Sequence, residues 1–118
     1  MRAERRFRVT EEMLASIVGS GRVEVLSTPS MIALMESVAE SIVADKLPSG
    51  TVSVGTSVCV RHRAPAWLGD EVIVRAELRE VRGRRLVFRV ECLREETVIG
   101  EGEHERYVVD REKFLRRS

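Results

Sequence analysis

The sequence predicts an α+β fold, one curled antiparallel sheet wrapped around one long central helix. Two observations lead there. The segment that follows Thr28-Pro29 has a helix start, a helix stop and apolar residues around more than half its circumference. From Thr51 to Val109 the chain then alternates apolar and polar residues in four long stretches. A helix apolar on most sides has to be enclosed, and amphipathic strands can enclose it.

Taken in order, the opening Met1-Arg-Ala-Glu-Arg-Arg-Phe-Arg carries charge without the apolar stretch of a secretory signal. Thr10-Glu-Glu-Met opens a short helix, with Thr10 as cap and Glu11 and Glu12 at its positive end. Met13, Leu14 and Ile17 form its buried side, and Gly19-Ser-Gly21 stops it. Arg22-Val-Glu-Val-Leu26 alternates as a brief strand. The long helix begins with Thr28 as N-cap and Pro29 at the first helical position, where its missing N–H costs nothing. It runs to about Leu47, before Pro48-Ser-Gly50. Ser30, Ser37 and Ser41 share one side, while Met31, Met35, Val38, Ala39, Ile42 and Val43 spread over the rest.

The strands follow. Thr51–Arg63 turns Val52, Val54, Val58, Val60 and His62 inward. Residues 64–70 connect to Glu71–Arg82, whose inner face is Val72, Val74, Ala76 and Leu78. Arg82-Gly83-Arg84 is a hairpin signal, followed by Leu86, Phe88, Val90 and Cys92 on the next inner face. After the Glu95-Glu96 turn, Thr97–Val109 carries Val98, Gly100, Gly102, His104, Arg106 and Val108 on one side. The two glycines mark the close approach of a backbone or a ligand.

Composition excludes several classes of function. The 118 residues suit one domain, residues 1–118. Charged residues reach 33%, yet 20 basic and 19 acidic side chains leave a net charge of +1, so no global field holds nucleic acid or a membrane surface. With 4% aromatic residues, base stacking has few platforms. No apolar run approaches the ~20 residues of a membrane helix. Cys59 and Cys92 form neither a metal spacing nor a disulfide framework. The expectation is a soluble, cytoplasmic protein.

A few residues look out of place. Glu36 interrupts the apolar row Ile32, Ala39, Val43, and His62 ends a valine-rich inner face. Thr28 stands at the end of a buried helix, where unpaired N–H groups favour negative charge. It lies about 12 Å along the axis from Glu36, so the two line one groove rather than touch. His104 and Arg106 share the inward face of the last strand, and a buried arginine wants an anionic partner. Each has a bland reading too: a snorkelling carboxylate, a satisfied core histidine, a cap, an internal salt bridge. Arg61 and Arg63 flank His62 at the strand end and suit the phosphates of a ligand at the pocket mouth. The hairpin arginines Arg82, Arg84 and Arg85 are second candidates.

Leu26-Ser-Thr-Pro-Ser-Met-Ile-Ala-Leu-Met-Glu36 and Ser53-Val-Gly-Thr-Ser-Val-Cys-Val-Arg-His62 together resemble the hotdog-fold acyl-CoA thioesterases. They are most similar to the branch that includes fluoroacetyl-CoA thioesterase. Ala64-Pro-Ala-Trp-Leu-Gly69 and Gly100-Glu-Gly-Glu-His-Glu-Arg106-Tyr-Val-Val-Asp110 extend the resemblance over roughly Val9 to Phe114. The resemblance implies a hotdog fold and hydrolysis of an acyl-CoA to a carboxylic acid and free coenzyme A. It implies Thr28, Glu36 and His62 as catalytic residues, Gly69 near the acyl pocket and Arg106 at the substrate. It needs no metal or other cofactor, coenzyme A being part of the substrate. It also implies a homodimer or a dimer of dimers, joined along Thr51–Arg63 with sites between protomers. One departure stands out: Gly19–Val25 contains no phenylalanine to form that enzyme's gate, which points to another acyl group. The rival expectations are a non-catalytic acyl-CoA-binding module and a hotdog dehydratase.

Overall fold

The computed structural model describes residues 1–117; Ser118, the last residue of the expected domain, lies outside them. The chain forms β1 (Arg2–Arg8), a 3-10 turn at Glu11–Met13, α1 (Ala15–Val18), α2 (Thr28–Val43), β2 (Thr51–His62), β3 (Glu71–Arg82), β4 (Arg85–Arg94), β5 (Thr97–Asp110) and α3 (Arg111–Leu115). The strands make one antiparallel sheet in the order β1-β3-β4-β5-β2. α2 touches all five strands, so the sheet encloses the helix as the hydropathy pattern requires.

The expected apolar positions of α2 are all buried: Met31, Met35, Val38, Ala39, Ile42 and Val43. They meet Val72 and Val74 of β3, Phe88, Val90 and Cys92 of β4, and Ile99 of β5 in one core. At Gly100 the sheet backbone meets the Met31 side chain of the helix. A Cβ there would lie 2.5 Å from the Met31 sulfur, so only a hydrogen fits.

Several local expectations are corrected. The N-cap of α2 is Ser27, whose hydroxyl accepts a hydrogen bond from the Ser30 N–H at 3.1 Å. Thr28 sits one residue inside the helix, because Pro29 is tolerated at either of the first two helical positions. α2 ends at Val43 rather than near Leu47, since the chain must leave helical geometry before Pro48. The first short helix splits into the 3-10 turn and the single turn of α1, and Thr10 makes no side-chain cap. One turn cannot bury two sides, so Leu14 is buried while Ile17 is 65% exposed. Arg22–Leu26 contributes only the isolated bridges Leu14↔Leu26 and Val25↔Trp67.

β1 had no expected counterpart. Only Ala3 and Phe7 pack against the core, too few to show a period. The strand is held to β3 instead by backbone pairing and by the cross-strand ion pairs Arg6–Glu71 and Glu4–Arg75, at 2.9 and 2.6 Å. At the other end of the sheet β2 pairs only with β5. Its inward valines are half-buried because no described strand pairs with its other edge.

Candidate active site

Thr28 and His62 meet at one end of β2. Because Ser27 does the capping, the Thr28 hydroxyl is free, and its Oγ1 lies 2.7 Å from His62 Nδ1. His62 is the last residue of β2, opposite Gly100. Burial pushes its imidazole below the ordinary value of 6.5, against a weaker opposing hydrogen bond at the Ala64 backbone. The ring is therefore neutral near pH 7, and Nδ1 can accept the threonine proton. The helix end is narrower in donors than its general form suggests. Pro29 has no N–H, the Ser30 N–H goes to Ser27 Oγ and the Met31 N–H goes to the Ser27 carbonyl. Among the described residues the Thr28 N–H is left without a partner in that first turn.

Glu36 belongs to a second group, centred on Gly55. Two turns along α2, its carboxylate lies over the Gly55 Cα: a Cβ there would sit 2.6 Å from Glu36 Oε2, 3.2 Å from His104 Cε1 and 3.6 Å from Arg106 Nη1. A carboxylate, an imidazole edge and a guanidinium thus converge on one glycine. Gly55 pairs with Arg106, and the register slips between Gly55 and Ser57. Such a bulge bends a strand and re-aims its groups.

Arg106 is 7% exposed and each of its nitrogen positions has a neutral partner. Nε donates to Ser53 Oγ at 2.8 Å, Nη2 to the Ser53 carbonyl at 2.9 Å, and Nη1 faces His104 Nε2 at 3.1 Å. Burial lowers its pKa, while Glu40 and Glu36 act through space in the other direction. His104 lies 2.9 Å through Nδ1 from the Ser57 carbonyl, and its ring stacks on Phe88. Burial is the main cause that lowers its pKa, and the Arg106 charge adds to it.

The expected catalytic residues are thus brought into two places. Gly55 and His62 stand seven residues apart, about 23 Å along an extended strand. Thr28 touches His62 in one chain, and Glu36 sits with Arg106 towards the other end of β2. Gly69 is hydrogen-bonded to neither group. It is an exposed turn residue with φ 86°, its N–H donating to Val9 and its carbonyl accepting from Arg8 Nη1. The glycine that meets Glu36 and Arg106 is Gly55. Strand parity points it outward in the sequence, and a glycine within an alternating valine strand is the one signal it offers. The sequence places His104 on the inward face of the last strand and gives it no role. Arg61 is exposed, but Arg63 is tied to Glu101 at 2.6 Å. The hairpin arginines are engaged as well, Arg82 with Glu80, Arg85 with Glu105 and Arg84 with the Val108 carbonyl.

A family model described as fluoroacetyl-CoA-specific thioesterase matches residues 9–112. A curated fluoroacetyl-CoA thioesterase from Streptantibioticus cattleyicolor is 45% identical over 91 residues, which are 77% of this chain and 66% of that protein's length. A variant of the fluoroacetyl-CoA-specific thioesterase FlK, solved with fluoroacetate and CoA, superposes with a TM-score of 0.91 at 37% identity, covering 97% of this chain and 96% of that one. A hot-dog-like protein from Thermanaerovibrio acidaminovorans superposes with a TM-score of 0.89 at 28% identity, covering 97% and 84%. The fold is the hotdog fold.

Proposed function

The chain belongs to the fluoroacetyl-CoA-specific thioesterase family, and from that premise we propose that it is an acyl-CoA thioesterase of one domain. Water adds to the thioester carbonyl, the C–S bond breaks, and the products are a carboxylic acid and free coenzyme A. The observation that carries this reading is the Thr28–His62 contact at the start of a buried helix. Thr28 orients the carbonyl through its unpartnered N–H, where negative charge develops, while its hydroxyl proton is engaged by His62 Nδ1. Glu36 supplies the carboxylate that drives attack, as a base towards water or as the attacking group itself, in a mixed anhydride that water then hydrolyses. The proton lost by the water consumed is relayed through His62 to the leaving thiolate. The reaction needs no metal or redox cofactor, and coenzyme A arrives with the substrate.

The protein acts, in this reading, as a homodimer joined along β2. A bare strand edge invites pairing, and a two-fold contact closes on itself. Antiparallel pairing of two β2 strands exchanges their ends. Centred between Val58 and Cys59, it sets His62 of one protomer opposite the partner's Gly55. Each site then joins Thr28 and His62 of one chain to the partner's Glu36 and Arg106. Arg61 is the free candidate for a coenzyme A phosphate. We expect an acyl group other than fluoroacetyl, since Gly19–Val25 holds no phenylalanine to form a gate. No helix among the described residues is long and apolar enough to cross a membrane, and we place the activity in the cytoplasm.

The test is thiol release from a panel of acyl-CoAs that includes fluoroacetyl-CoA. Glu36→Gln should lower kcat on the preferred substrate by about 10²–10⁴ without lowering the melting temperature. Binding without release across the panel would leave a non-catalytic acyl-CoA-binding module.

A further inference from the structure

A buried guanidinium with only neutral partners is expensive to keep, and the way it is held is informative. Ser53 fixes two corners of Arg106, through its hydroxyl and its carbonyl. The third corner, Nη1, rests on His104 Nε2. Nη1 is also the corner nearest the space over Gly55, which the Glu36 carboxylate occupies. It carries two hydrogens; one directed at His104 leaves the other free to turn towards the side on which Glu36 stands.

We propose that His104 is a positioning residue, which sets the rotation of Arg106 and so presents one Nη1 hydrogen to the substrate beside Glu36. The ring is itself locked from three sides. Nδ1–H donates to the Ser57 carbonyl at 2.9 Å, the ring stacks on Phe88 with centroids 6.1 Å apart, and Nε2 is left as the acceptor for Arg106. A protonated ring could not accept that bond, so the arrangement needs the neutral Nδ1–H tautomer. The bulge after Gly55 supplies the Ser57 carbonyl at the right place. β2 and β5 together thus convert a backbone irregularity into the aim of a charged side chain.

This inference rests on the thioesterase reading of the Glu36–Arg106 group, so its test has one arm that needs activity and one that does not. Two polar replacements separate positioning from simple packing. His104→Gln keeps an acceptor where Nε2 was; His104→Asn keeps a donor towards Ser57 but cannot reach Arg106. The expected result is kcat within about threefold of wild type for His104→Gln, and a fall of about 10- to 100-fold for His104→Asn with KM little changed. In an Arg106→Lys background the difference between the two should vanish, because the group being aimed is gone. Equal kcat for the two replacements, or a difference that survives Arg106→Lys, overturns the proposal. The second arm is ¹⁵N NMR of the histidine rings in the full chain. His104 should show a protonated Nδ1 and an accepting Nε2, and Arg106→Lys should move the Nε2 shift. An Nε2 signal that ignores Arg106→Lys overturns the proposal even if no acyl-CoA is hydrolysed, whereas absence of turnover with a responsive Nε2 signal rejects only the thioesterase reading.

Discussion

Gly55 shows how much of this site depends on a missing side chain. The Glu36 carboxylate occupies the space a Cβ would fill. Gly55→Ala would push the far end of a flexible side chain rather than the backbone, so the fold should tolerate it. We expect a melting temperature within a few degrees of wild type and kcat at least about 10-fold lower, as a displacement of about 1 Å at a reacting group can cost more than that. The two histidines set a pH dependence of another kind. Burial lowers both His62 and His104 from the ordinary 6.5. As pH falls below 6.5 the unfolded chain takes up these protons before the folded one, so the unfolded state gains. Stability should be greatest above pH 6.5 and decline as pH drops from there through the lowered folded values. Urea midpoints at pH 7.5, 6.5 and 5.5 should show this, with a shallower slope in His104→Gln. A flat profile across that window would mean that the folded rings titrate normally.

At the scale of elements, α2 and β5 meet where Met31 lies against Gly100. Gly100→Val would drive two methyl groups into Met31, in a core with no slack. We expect a loss of about 1–3 kcal/mol in chemical denaturation; an unchanged midpoint would mean that α2 rides higher than described. What was legible in the sequence also divides by element. α2 and the four long strands could be read because each has one face in the core and hence a clean period. β1 could not, because most of its side chains meet charges on β3 rather than apolar groups, and ion pairs across strands leave no period in one strand. Ser27 and Thr28 are adjacent hydroxyls before the same proline, so which one caps is decided by backbone geometry and not by composition. Within the site, Thr28 and His62 carried their own signals. Gly55 carried only the signal of a glycine in a valine strand, which strand parity assigns outward, and the bulge that follows it has no sequence signature. The distance between Glu36 and His62 is a property of the curled sheet, which no spacing along the chain encodes.

At the scale of the whole molecule, the separation of the two groups makes a prediction about mixing. Glu36→Gln and His62→Ala homodimers should each be close to inactive. If sites form between protomers, a mixed dimer pairs the intact His62 of one chain with the partner's intact Glu36. Co-refolding the two variants should then restore activity, towards a quarter of the wild-type level for random exchange, since half of the dimers are mixed and each has one complete site. No recovery, with dimers present in sedimentation, would place all the groups of a site in one chain.

The two ends of the sheet are finished in different ways. β2 is a bare, half-apolar edge, whereas β1 is a strand of mostly exposed charges laid over the edge of β3. Its arginines and Glu4 crowd the border where another copy would have to dock, and desolvating them has no return. In the proposed dimer, growth by strand addition would be open at one border and blocked at the other. A sheet with two bare ends would be a monomer for a fibre; this one would add a single neighbour and then terminate. The stretch of chain with the least visible pattern would in this sense be the part that keeps such an assembly finite.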